Sequence, residues 1–410
     1  MKPWCRAPAT NLRTGLDGGK GALPAAAVAV LVVFAWQAAT VAANYGGNAT
    51  GLFRIGYEMK VPPELAQGAY RNAHPSGYDG QFYLWLAHDP FLRSDTEAYL
   101  DQPLMRARRI LVPLLAWTLA LGQRELINGA FILVIAAFIF GGVFWLGRIM
   151  ELEGRHAALG LLFLIMPATI TGLDAMTVDV ALAALTACFA WQWRSGNTRW
   201  LWITIAAAPL VRETGILLTA ACVLAAMYRR EARTALVWAT AAVPMIGWNV
   251  YLHLVLSPAK ASVQAAVPSW VWPQLHVGIL ERALHPSNYP QFSPAIQTLA
   301  RTLDELAVAG TIAAVVIGVM RLRTMRPTAL RVALGLSMLL LLTMTARGFW
   351  ESPYSYGRPL APLFMLLMAG DGVSIAAGGW TVIGLMAAVD LRVLAELRTQ
   401  VIGVVSWLSI

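Results

Sequence analysis

Tyr78-Asp79-Gly80, inside Gly77-Tyr78-Asp79-Gly80-Gln81-Phe82-Tyr83, sets a carboxylate among aromatic rings and an amide. An Asp-Gly pair also serves in a plain solvated turn. The neighbours widen that reading. Aromatic faces such as Tyr78, Phe82 and Tyr83 pack on sugar C–H surfaces, and the Gln81 amide can bond hydroxyls. The same rings also suit a membrane interface. A carboxylate placed here can take the proton of an attacking hydroxyl.

Other ionisable residues recur at comparable places. Arg106, Arg108 and Arg109 precede the apolar run Ile110 to Gly122. They can snorkel to lipid headgroups or hold a lipid phosphate by charge and forked hydrogen bonds. Asp174 and Asp179 flank Ala175-Met176-Thr177-Val178 at a helix boundary, where acids cap helix N-termini or bind an acceptor or cation. Arg212-Glu213 interrupts the apolar sequence at about 200–228. Such a pair is structural or, near membrane depth, functional. Tyr356-Gly357-Arg358 opens a late apolar segment. Arg358 is an interfacial anchor or a permanent positive fork for a leaving phosphate. His88-Asp89-Pro90 reads as a helix end or turn.

The elements that carry these residues are membrane helices. The chain has 410 residues, 58% hydrophobic and only 13% charged, against roughly 25% charged in soluble proteins. Mean hydropathy is +0.59. The formal charge of +9 follows from basic residues at cytoplasmic helix ends, so nucleic acid is not an expected partner. Cys5, Cys188 and Cys222 lack metal-ligand spacing. No Walker loop, dinucleotide fingerprint, His-Glu-x-x-His helix or Gly-x-Ser-x-Gly elbow occurs.

The apolar run at about 22–43 reads as an uncleaved first helix, although Val41-Ala42-Ala43 resembles a signal-peptidase site. A polar outer loop follows, 44–125, with Ile110 to Gly122 lying in the interface because about 13 residues are too short to span. Spans are expected near 126–147, 157–173, 179–193, 200–211, 214–228, 234–256, 304–320 and 330–346, and two more beyond Leu360. A second outer loop covers 257–303. Residues 1–410 thus form one all-α polytopic membrane domain of about 10 to 12 helices. The short basic loops face the cytoplasm and the candidate residues the other side.

Read together, these pieces resemble the GT-C superfamily of polytopic glycosyltransferases, including protein O-mannosyltransferases and lipid A aminoarabinose transferases. The match is Tyr78-Asp79-Gly80-Gln81-Phe82-Tyr83 followed by Arg109-Ile110-Leu111-Val112-Pro113-Leu114-Leu115-Ala116-Trp117. Asp174 and Asp179, Pro209-Leu210-Val211-Arg212-Glu213-Thr214-Gly215 and Tyr356-Gly357-Arg358-Pro359-Leu360-Ala361-Pro362 extend it. The Tyr-Asp-Gly-Gln-Phe-Tyr form is similar to bacterial membrane proteins linked to surface glycopolymers.

The resemblance implies a catalytic Asp79 and a polyprenyl-phosphate sugar donor at the outer face of a bacterial cytoplasmic membrane. It implies a lipid, glycan or protein acceptor. Tyr78, Gln81, Arg106, Arg109, Asp174, Asp179, Arg212, Glu213, Tyr356 and Arg358 would bind substrate. Many members carry two adjacent acids on the first loop. Here Gly80 follows Asp79, so magnesium or manganese is an optional cofactor rather than a required one. Rival readings are a lipid or glycolipid flippase, which needs polar residues along a midplane path, and a glycan polymerase or ligase of another fold. The glycosyltransferase reading requires Asp79 and Arg358 to meet.

Overall fold

The computed structural model describes residues 21–256, 278–290, 292–344, 349–350, 352–369 and 375–409. The first tail and residues 257–277 of the loop expected at 257–303 lie outside the described residues, as does Gly370-Asp371-Gly372. Among the described residues the chain is all helical, with one isolated bridge between Gly56 and Asn72.

The first helix, α1 (Ala22–Tyr45), is a run of good helix formers and apolar residues. It stops at Gly46, whose left-handed backbone returns its N–H to the Val41 carbonyl. Beyond a single turn at Pro63–Ala66 and two 3-10 segments, the first loop carries α2 (Gly80–His88), α3 (Pro103–Arg108) and α4 (Leu111–Leu119). Pro103 starts α3 where a missing N–H costs nothing. Helix α4 has nine residues, too few to cross, as expected. It packs on α2 and on the long α5 (Arg124–Leu152).

A 3-10 segment, Ala157–Ile165, then meets α6 (Pro167–Ala175) at a bend of 59°. Pro167 sits at the bend. Gly160 is needed beside α5, because a Cβ there would lie 2.3 Å from the Val143 carbonyl oxygen. The chain continues through α7 (Asp179–Ser195), α8 (Thr198–Val211), α9 (Ile216–Tyr228) and α10 (Ala232–Val255). After α11 (Gly278–Leu284) come α12 (Pro294–Thr324), α13 (Ala329–Thr343), α14 (Pro353–Ala369), α15 (Ile375–Glu396) and α16 (Arg398–Leu408). Helix α7 is central. It packs on α5, α8 and α14, and all of its first ten residues are buried.

Among the described residues four helices are long and apolar enough to cross a membrane: α1, α5, α10 and α12. The bent 3-10 and α6 pair is a fifth if it counts as one span. This is fewer than the 10 to 12 spans suggested by the apolar runs. The segment expected to span at 157–173 is broken at Met166-Pro167. The apolar stretch at 200–228 divides into helices of 14 and 13 residues around Arg212. Each rises only about 20 Å, short of a roughly 30 Å hydrocarbon core. The breaks have a consequence: they put helix ends, with their unpaired backbone groups and ionisable residues, inside the protein.

Candidate active site

Two glycines place Asp79. Gly77 has a left-handed backbone (φ 60°), and a Cβ there would come within 2.2 Å of the Arg54 carbonyl oxygen. A Cβ on Gly80 would come within 2.1 Å of the Ala175 carbonyl oxygen. Only glycine lets the Tyr78-Asp79 backbone approach both the first loop and the end of α6. Asp79 immediately precedes α2 but does not cap it with its side chain. Its carboxylate is free for other partners.

Those partners come from across the chain. Asp79 Oδ1 is 3.0 Å from Nη2 of Arg106, in α3. Oδ2 accepts a hydrogen bond from Nη1 of Arg358, in α14, at 2.5 Å. The same Nη1 lies 3.4 Å from Oδ2 of Asp179, the first residue of α7. Asp179 Oδ1 accepts from Nη1 of Arg212, just after α8. Arg106 is also held by Asp101, at 2.8 Å through both Nε and Nη2. Five predicted residues, Asp79, Arg106, Asp179, Arg212 and Arg358, therefore form one buried charge network. Burial alone would raise the Asp79 carboxyl, but Arg106 and Arg358 hold it well below the usual carboxylate range.

The remaining predicted residues sort themselves around this network. Tyr78 lies under Arg358, whose guanidinium carbon is 5.3 Å from the ring centre. Arg109 donates to both Glu213 oxygens, at 3.1 to 3.3 Å, and to the Tyr83 hydroxyl at 3.1 Å. A local Arg212–Glu213 pair is not what forms. Arg212 turns to Asp179, and Glu213 turns to Arg109. Arg106 and Arg109 do not snorkel to headgroups either, being 6% and 3% exposed. Arg108 donates to Asn249 at 2.8 Å. Asp174 makes a second carboxylate centre. It accepts from Arg54 at 2.5 Å and from the Tyr354 hydroxyl at 2.9 Å. Tyr354 meets Tyr78 edge to face at 5.6 Å, joining the two centres.

Two predicted substrate ligands lie apart from this network. Gln81 is fully buried in α2. Its Oε1 accepts from the Gly56 N–H at 3.1 Å, and its Nε2 donates to the Ser76 carbonyl at 2.8 Å. It holds the loop that carries Asp79. Phe82 and Tyr83 are buried in the same helix, so their faces are not open to a sugar. Tyr356 stacks on Trp350 at 5.7 Å and is 2% exposed. Its hydroxyl makes no contact with the Asp79 network. Asp89 behaves as the turn residue it resembles, accepting from Arg93, Ser94 and Thr96.

Sequence reasoning passed over Arg54, Asp101 and Tyr354. Arg54 has left-handed backbone (φ 54°), as does Met176 (φ 46°) between the two acids of 174–179. Such conformations are costly for bulky residues and are held by surrounding structure, often at functional sites. Nothing local in the sequence marks either.

Several buried polar atoms of the network have no partner: Nε of Arg212, Nε of Arg358, the Tyr78 hydroxyl and Oγ1 of Thr177. Buried polar atoms are rarely left so in a purely structural network. The acids do not suit a divalent cation. Each is met by a guanidinium, and among the described residues no three His, Cys, Asp or Glu side chains gather as metal ligands. No protein-family model, no curated protein and no solved structure matches this chain.

Proposed function

We propose that the protein is an inverting glycosyltransferase of GT-C type. It moves a sugar from a polyprenyl-phosphate donor to an acceptor hydroxyl at the outer face of a bacterial cytoplasmic membrane. The acceptor is a lipid, glycan or protein in cell-surface glycan assembly. The observation that carries the reading is the meeting of Asp79 and Arg358, 279 residues apart, at 2.5 Å. A base and a permanent cation side by side are what displacement of a phosphate by a hydroxyl needs.

The step balances within these residues. Asp79 takes the acceptor hydroxyl proton. The oxygen forms a bond to the anomeric carbon as the bond from that carbon to the phosphate oxygen breaks. The electron pair leaves with the lipid phosphate, which Arg358 and Arg212 stabilise. The lipid phosphate is already an activated leaving group, so no nucleotide is consumed. The donor lipid would lie in the membrane that α1, α5, α10 and α12 are long enough to cross.

The test is transfer by membranes carrying wild type or Asp79→Asn, matched for expression and supplied with radiolabelled polyprenyl-phosphate sugars. Transfer by wild type and its loss in the variant is the expected result. Equal transfer by both moves the base elsewhere. Transfer from no donor, with labelled lipid crossing the bilayer instead, makes the protein a flippase.

A further inference from the structure

Asp79 is a poor base until one of its cations moves away. Its two oxygens are taken by two cations, Arg106 at 3.0 Å and Arg358 at 2.5 Å. Each bond of this kind takes one lone pair of its oxygen, and the two positive charges hold a proton off the rest. The cations, in contrast, are not fully used. The buried Nε atoms of Arg358 and Arg212 have no acceptor. These two arginines are 9% and 5% exposed and share Asp179, which bonds one through each oxygen. A group with anionic oxygens and access to both Nε donors would complete both forks.

We infer that the donor phosphate and Asp79 compete for Arg358, so that donor binding is what releases the base. The inference rests on the donor reading above. The phosphate accepts from the spare donors of Arg358 and Arg212. Arg358 turns toward it and away from Asp79 Oδ2. Asp179 stays on Arg212 Nη1 and keeps that arginine in place. Asp79 retains only Arg106, whose fork is divided with the more exposed Asp101. One Asp79 oxygen is then open to the acceptor hydroxyl. The order of events follows: donor first, deprotonation of the acceptor second.

A caged ground state lowers the apparent affinity for the competing anion by the fraction of time the cage is open. Removing the competing carboxylate must therefore strengthen phosphate binding while abolishing transfer. The probe is a long-chain polyprenyl monophosphate, a product analogue with no sugar to transfer. The full chain in lipid nanodiscs is titrated with it, and the free polyprenyl alcohol is the control.

Asp79→Asn and Asp79→Ser, each checked for a retained melting transition, should bind the phosphate about tenfold tighter than wild type. The alcohol should bind all three alike. Unchanged or weaker phosphate binding in both variants overturns the cage. If such variants have also lost transfer, the donor and base reading stands without it. Absence of phosphate-dependent binding in all three proteins sinks the cage and the polyprenyl-phosphate donor together.

Discussion

Asp79 and Asp304 are each gripped by two arginines, and they differ in what is left over. Asp304, in α12, accepts from Arg282 at 2.9 Å, from Arg392 at 2.7 Å and from the Tyr289 hydroxyl. Arg392 also bonds Glu396 at 2.5 Å, and Arg282 bonds the Trp350 carbonyl at 3.3 Å. None of these four residues, Asp304, Arg282, Arg392 or Tyr289, has a buried polar atom without a partner. Around Asp79, two guanidinium nitrogens, a phenol and a threonine hydroxyl remain unpartnered. The closed cluster ties α11, α12 and α15 together. The open one gathers the ends of α2, α3, α7, α8 and α14 and has unmet hydrogen-bonding capacity. Satisfied ion clusters serve architecture, and unsatisfied ones are where a ligand gains most.

The contrast breaks if both clusters respond alike to loss of the acid. Asp79→Asn should lower transfer by about 10²–10⁴-fold, measured as labelled product per folded protein. Arg106 and Arg358 each keep another carboxylate, Asp101 and Asp179, so melting should fall less than when Asp304 is lost. Arg358→Lys keeps the charge but loses the planar fork between Asp79 and Asp179. It should cost about 10²–10³-fold in transfer rate. Asp304→Asn should do the reverse. It strands Arg282, 4% exposed, and should destabilise by about 3–5 kcal/mol. Thermal unfolding in detergent would read this, with transfer per folded molecule unchanged. A transfer defect in Asp304→Asn at full stability would make the second cluster functional too.

Acid adds a finer distinction. Arg106 and Arg358 hold the Asp79 carboxyl below its ordinary value despite burial. The stability this contributes is present above the unfolded value of about 4 and is lost as pH falls through the lower folded value. Wild type and Asp79→Asn should therefore have parallel stability curves from neutral pH down to about 5, and converge below it. Divergence near neutrality would mean that Asp79 titrates there and is not ion-paired.

Much of this contrast was legible in the sequence, because charge in an apolar chain stands out. Asp79, Arg106, Asp179, Arg212 and Arg358 were each visible as ionisable residues at the end of an apolar run. Their convergence was not visible. It depends on how α14 packs on α7, and no local pattern encodes that. The partners were not legible either: of the two readings of Arg212-Glu213, the structural pair gives way to Arg212 with Asp179 and Glu213 with Arg109. Gln81 was misread because an amide in a polar loop looks solvated, whereas α2 is buried on nearly every face. The span count was too high for a related reason. Hydropathy measures how apolar a run is, and does not tell a helix long enough to cross from shorter ones such as those at 198–211 and 216–228.

Tyr356 gives the smallest expected effect and the sharpest test of where the open cluster ends. Its ring is fixed on Trp350, yet its hydroxyl is buried and unpartnered. If the site stops at Arg358, Tyr356→Phe removes only a desolvated hydroxyl. Stability should then be unchanged or rise slightly, by no more than about 1 kcal/mol. Transfer should stay within about twofold of wild type, because no transition-state contact is lost. A fall of about tenfold or more with unchanged melting would give the hydroxyl a partner that only substrate supplies. The open region would then extend two residues back along α14, toward Trp350 and the closed cluster beyond it.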